Sequence, residues 1–135
     1  MSEHMVTCLC KKVEFSFELE KKEFAACHCK MCRNWGGGPL MSILNTSNVS
    51  FVKDSSIKRY NSSNWAERGF CSECGTHLFY KFKGKELYHI PLGLLASDEG
   101  FKFDIQFFID KSSDLYSFKE ETKCLTEKEI FEMFS

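Results

Sequence analysis

Apolar and polar residues take turns along much of this chain. Val13, Phe15, Phe17 and Leu19 are interleaved with Lys12, Glu14, Ser16 and Glu18, a period of two that marks a strand with one buried face. Glu20-Lys21-Lys22-Glu23 turns the chain, Phe24-Ala25-Ala26 runs straight into a cysteine cluster, and Gly36-Gly37-Gly38-Pro39 breaks the pattern again. Short strands are expected over 40–44, 49–52 and 57–60, separated by Asn, Ser and Asp turn residues. Leu78, Tyr80 and Phe82 share one face of a further strand, with His77 opposite. Lys83-Gly84-Lys85 turns into a strand over 87–92, and 101–109 forms another. Thr126-Glu127-Lys128-Glu129 has the spacing of a capping box ahead of Ile130, Phe131, Met133 and Phe134, which predicts a short C-terminal helix. Strands are expected everywhere else.

The length of 135 residues suits one domain, 1–135, with its own core. Aromatic residues are abundant and mostly Phe, as in a small β core filled by rings. A formal net charge of −1 gives no basic field, so nucleic-acid binding is not expected. No apolar stretch approaches the roughly 20 residues that cross a bilayer, and the first residues have no apolar signal region. A cytoplasmic protein with reduced thiols is the expectation, and clustered cysteines there read as metal or redox sites.

Seven of the eight cysteines form three clusters: Cys8-Leu9-Cys10, Cys27-His28-Cys29-Lys30-Met31-Cys32 and Cys71-Ser72-Glu73-Cys74. Such short loops can aim several thiolates at one tetrahedral ion. Cys8 and Cys10, two apart in an extended segment, share a face. The two residues between Cys71 and Cys74 let the backbone curl, and Gly75 suits the positive φ of such a turn. These four make a closed structural zinc cage that clamps the first strand to the second half of the sheet. Cys27, Cys29 and Cys32 leave a fourth position for water, His or substrate. Three thiolates outweigh Zn2+ by about one charge, so this ion generates hydroxide poorly and suits a soft ligand such as a substrate thiolate.

Plainer readings stand beside these. Cys8, Cys10, Cys71 and Cys74 could be buried thiols or a disulfide pair. The triplet could be a second structural zinc completed by His28 or a distant His, or could hold a Cys29–Cys32 disulfide. Redox pairs favour a strand-to-helix junction in a βαβ setting, which the sequence does not predict here. His28 alternates away from the neighbouring cysteines. His77 and His89 read as structural histidines, and Cys124 as a lone thiol. Arg33, Asn34 and Trp35 follow the triplet directly and are candidates to line a pocket for an anionic substrate.

The order Cys8-x-Cys10, Cys27-His28-Cys29-x-x-Cys32-Arg33 and Cys71-x-x-Cys74-Gly75-Thr76 resembles the glutathione-dependent formaldehyde-activating (GFA, centromere protein V-like) family over about residues 5–115. The segment 103–110 is similar to that family's final strand region. The resemblance implies a mainly β, Mss4-like fold of small antiparallel sheets. It also implies a structural zinc at Cys8, Cys10, Cys71 and Cys74 and a catalytic zinc at Cys27, Cys29 and Cys32. The activity implied is that of a carbon–sulfur lyase interconverting glutathione plus formaldehyde and S-hydroxymethylglutathione. Two departures are visible. The family usually has Gly after the second cysteine of the first motif, where this chain has Lys11, and its glutathione-handling members tend to be longer.

The expected chemistry is therefore activation of a small thiol at Cys27, Cys29 and Cys32 for addition to an aldehyde, with Arg33 and Trp35 as substrate contacts. The rival expectation is a zinc-stabilised binding or chaperone-like module with both sites structural.

Overall fold

The computed structural model describes residues 1–133 as a mainly β protein of two sheets. The smaller sheet has the order β1-β2-β5, formed by Ser2–Thr7, Glu14–Leu19 and Thr46–Lys53. The larger has the order β11-β10-β3-β4-β9-β8-β7-β6. Its strands in chain order are β3 Glu23–Cys27, β4 Leu40–Ile43, β6 Ile57–Asn61, β7 Ala66–Cys71, β8 His77–Phe82, β9 Tyr88–Pro91, β10 Lys102–Phe107 and β11 Lys123–Leu125. Pairing is antiparallel except around β10, which runs parallel to both β3 and β11.

The alternation in β2 does what its period requires: Phe15, Phe17 and Leu19 are buried and their neighbours are not. They meet Ile43, Leu78, Phe79, Tyr88 and Ile90 from the large sheet in one apolar core. The rings there pack tilted or edge to face, Phe15 with Phe51 at 5.4 Å and Phe79 with Tyr88 at 5.1 Å, as ring quadrupoles prefer.

Two helices complete the fold. The C-terminal one, α2 (Glu127–Met133), has the reciprocal cap its sequence announces. The Glu129 N–H donates to Thr126 Oγ1 (3.2 Å) and the Thr126 N–H to Glu129 Oε1 (2.9 Å). Phe134, expected on this helix, lies outside the described residues. The other helix, α1 (Lys30–Gly36), was not expected. Cys29 caps it with its sulfur, which accepts the Cys32 N–H at 3.3 Å, and Gly37 at φ 86 ends it. Seven helical residues, about two turns, between a metal-like motif and a glycine run are too few to show a 3.6 period.

β7 and β8 decide what faces the core and what faces away. Gly69 pairs with Phe79, yet Phe70 pairs with His77, so Leu78 is the extra residue of a β-bulge. The bulge sends both Leu78 and Phe79 inward, at 0% and 3% exposure. It also corrects the expected phase: Tyr80 shares the outward face with His77 instead of lying with Leu78. Gly69 gives the Phe79 ring its floor, because a Cβ at Gly69 would overlap the far edge of that ring. Phe79 is enclosed by Phe51, Tyr88 and the Arg59 guanidinium, the last at 4.9 Å. The ring therefore has little room to retreat.

Gly69→Ala should consequently destabilise the protein by about 1–3 kcal/mol through overpacking, seen as a lowered urea midpoint with an unchanged m-value.

Candidate metal centres and the face beside them

After β1 the chain makes a tight turn, with the Cys8 N–H donating to the Val13 carbonyl (3.1 Å) and the Lys11 N–H to the Cys8 carbonyl (3.0 Å). Cys8 and Cys10 therefore converge through a turn and not along an extended face, as their spacing had suggested. A matching turn follows β7: the Cys71 N–H donates to the Thr76 carbonyl (2.9 Å) and the Gly75 N–H to the Cys71 carbonyl (2.8 Å). In both turns the residue after the second cysteine is left-handed, Lys11 at φ 67 and Gly75 at φ 78.

The two turns place four sulfurs together. Cys8 Sγ lies 3.5 Å from Cys10 Sγ, which lies 3.7 Å from Cys71 Sγ, and all four sulfurs fall within 4.8 Å of one another. A tetrahedral zinc with sulfurs at 2.3 Å needs sulfur separations of about 3.8 Å. The set fits. Thr76 stitches the turns together, accepting the Leu9 N–H (3.1 Å) and donating its hydroxyl proton to Cys74 Sγ (3.1 Å). That bond and the Thr76 N–H bring the Cys74 pKa down to about 5.

The second group comes from one segment. Cys27 ends β3, Cys29 caps α1 and Cys32 sits in the first turn of α1, and their three sulfurs lie within 4.8 Å of one another. Among the described residues no His, Asp or Glu joins the group. Cys29 is held down to about 2 by hydrogen bonds from the Cys27 thiol and then the Cys32 thiol, while the same contact with Cys29 pushes Cys27 well above the ordinary thiol value. Sharing of protons among these sulfurs thus favours the thiolate at Cys29 over Cys27.

His28 is the anchor of this segment. It is 2% exposed, its N–H donates to the Phe107 carbonyl (3.0 Å), and its Nε2 donates to Gln106 Oε1 (2.8 Å). Gln106 gives its own amide N–H to Thr122 Oγ1 at 3.0 Å. The expected turn of His28 away from the sulfurs holds, but it is buried against β10 and not in solvent. Arg33 folds back on the same loop, Nε to the His28 carbonyl at 3.0 Å.

Trp35 leads to what the sequence left unread. It stacks on His77 (4.6 Å) and Tyr60 (6.3 Å) and meets Phe70 edge-on (5.6 Å). α1 therefore lies on the outward face of β6–β8. Arg68 belongs to that face and is almost fully buried, with Nη2 3.5 Å from Cys32 Sγ. Tyr80 lies across the strand pair from Arg68 and accepts the Trp65 Nε1–H at 3.2 Å, and burial raises its pKa. His77 is lowered below its ordinary value by burial and then by the Arg68 charge, so its imidazole is neutral at pH 7. Neither Arg68 nor His77 was singled out for the site. The Ala66-Glu67-Arg68-Gly69 stretch has no alternation to reveal a buried cation, and the bulge that turns Tyr80 to the face of His77 has no sequence signature.

The family model described as glutathione-dependent formaldehyde-activating enzyme matches residues 3–111. The chain belongs to the glutathione-dependent formaldehyde-activating family. A Schizosaccharomyces pombe (strain 972 / ATCC 24843) protein named as an uncharacterized lyase is 35% identical over 131 residues, 96% of each chain. A Rhodobacter sphaeroides protein solved by crystallography is 23% identical, with a TM-score of 0.56 over 71% of this chain and 89% of that one. That second likeness is one of fold. In this member of the glutathione-dependent formaldehyde-activating family, Lys11 takes the left-handed conformation that glycine adopts most easily.

Left-handed backbone is costly for a residue with a Cβ. Lys11→Gly should raise stability by about 0.5–1 kcal/mol, less than the full strain because glycine also loosens the unfolded chain. Thermal unfolding of the two metal-loaded proteins checks this.

Proposed function

We propose that this protein is a zinc-dependent carbon–sulfur lyase acting on a small thiol adduct, with glutathione plus formaldehyde or a related aldehyde as the reaction partners. Family membership and the lyase name of the yeast relative support the reaction class. The observation that carries the reading is the asymmetry between the two sulfur groups: four sulfurs from two distant turns, and three from a single segment. Cys8, Cys10, Cys71 and Cys74 would hold a closed structural zinc. Cys27, Cys29 and Cys32 would hold one with a position left for substrate. Bound there, zinc would lower the pKa of an incoming thiol and keep its sulfur nucleophilic.

The protein's own residues supply position and proton handling. Trp35 forms one wall beside the trio, and Arg33, whose Nε is engaged by the loop, keeps its terminal nitrogens for a substrate carboxylate. In the synthetic direction the thiol sulfur bonds to the aldehyde carbon, the thiol proton leaves, and the carbonyl oxygen gains a proton. The lyase direction reverses each change. His77, a neutral imidazole beside Trp35, is the group we assign to take up the thiol proton.

Two experiments test the reading. Mild chelation should remove one zinc equivalent readily and the second only with loss of fold. Cys29→Ser should lose the labile equivalent and on the order of 100-fold or more of thiol-dependent aldehyde consumption, whereas Cys71→Ser should lose the cooperative fold itself. Two equally tight zincs and no thiol-dependent turnover would instead fit the binding or chaperone-like module.

The pH profile tests His77 separately. Its lowered pKa keeps the base form populated below pH 6.5, so kcat/KM should fall only as the pH drops beneath that value. In His77→Gln that acid limb should vanish and the plateau should drop about 100-fold. An unchanged acid limb in the variant removes His77 from the mechanism.

A further inference from the structure

Arg68 is a cation in an unusual place. It sits in the middle of β7 at 3% exposure, and among the described residues no Asp or Glu forms an ion pair with it. Its neighbours are two rings and one sulfur: Tyr80 at 5.0 Å and Trp35 at 5.9 Å from the guanidinium carbon, and Cys32 Sγ at 3.5 Å from Nη2. The rings offer quadrupoles, not a compensating charge. A buried guanidinium left without an anion is strongly disfavoured. The anion within reach is sulfur, and it exists only if the trio is deprotonated.

We propose that Arg68 is the counter-ion of the Cys27, Cys29 and Cys32 centre, and that its charge strengthens metal retention there. This rests on the metal reading of the trio given above. Three thiolates (−3), one divalent ion (+2) and Arg68 (+1) sum to zero, so the buried region carries no net charge. A fourth, substrate thiolate then takes the region from 0 to −1, where without Arg68 it would go from −1 to −2. Arg68 is thus a positioning residue, acting through the sulfurs and not on the substrate.

The four-cysteine group has no such device. Its cation, Lys12, pairs with Glu73 at 3.9 Å with both side chains more than half exposed, and Cys10 is itself exposed. Water reaches that group through exposed Cys10, although Cys8 and Cys71 are buried, whereas none of Cys27, Cys29 and Cys32 is exposed. The trio needs an internal cation.

The test uses the full-length protein loaded with cobalt(II), whose thiolate charge-transfer bands report retention at each centre during chelator competition. R68M removes the charge and keeps an apolar stem, and R68K keeps the charge without the planar fork. R68M should release the trio's ion at roughly 10–100-fold lower chelator concentration. R68K should stay within about threefold of wild type, and the four-cysteine ion should be unaffected in both, doubling as the control for folding. Equal weakening in R68M and R68K, or wild-type retention in R68M, overturns the inference. If R68M does not fold, R68K decides alone: a folded R68K that loses the trio's ion more than about tenfold more easily shows that fork geometry, and not charge, is what matters. A wild-type protein that takes up one cobalt only, at the four-cysteine group, defeats the metal reading itself. Two cobalts in wild type with no effect of Arg68 defeats the counter-ion alone.

Discussion

The junction of two turns, one after β1 and one after β7, is the constraint on which the remaining geometry depends. It brings Cys8, Cys10, Cys71 and Cys74 within 4.8 Å of one another and ties the small sheet to the large one. Because Cys71 ends β7, fixing it fixes the phase of that strand. Gly69 then faces the core beneath Phe79, and Arg68 faces outward beneath α1. A slip of one residue in β7 would exchange them. The ring would lose its floor and the cation would enter the apolar core. The four-cysteine group and the three-cysteine group are therefore linked through one short strand.

The three-cysteine segment is stiffened differently. It stands at the end of β3, where β10 runs parallel alongside, and His28 reaches across to Gln106 while Arg33 closes on the His28 carbonyl. The sulfurs thus hang from a loop whose backbone and alternate side chain are both tied to neighbouring structure. Bracing of this kind fixes the three sulfurs relative to one another without help from a distant strand. The same loop is a strand-to-helix junction, the setting that had been expected to be missing. Its strand pairs antiparallel with the next one, β4, and not through a parallel crossover.

What the sequence made legible follows from which signals are periodic. β2 declared itself because its alternation is unbroken. The α2 cap did so because Thr126 and Glu129 are spaced for it, and the sulfur groups did because ligand spacing is a local property. β1 was hidden: only Val6 of its six residues is fully buried, so no alternation shows. α1 is about two turns of helix, capped by a cysteine already read as a ligand. Tyr80 was placed with Leu78 because a bulge shifts phase without changing composition, and Arg68 was overlooked because an arginine between Glu67 and Gly69 looks like surface. The core and the ligand sets were local information. The wall beside the trio was tertiary information, set by how α1 lies on β6–β8.

The parallel pairing of β3 with β10 also fixes an order of assembly. All the residues of the four-sulfur junction are available to a growing chain once Cys74 has emerged, whereas the brace behind Cys27 waits for Phe107. Contacts of such long sequence separation form late, after their loop-closure entropy has been met. During synthesis the frame can close first, and Cys27, Cys29 and Cys32 acquire their final setting only when the last third of the chain has folded back onto them.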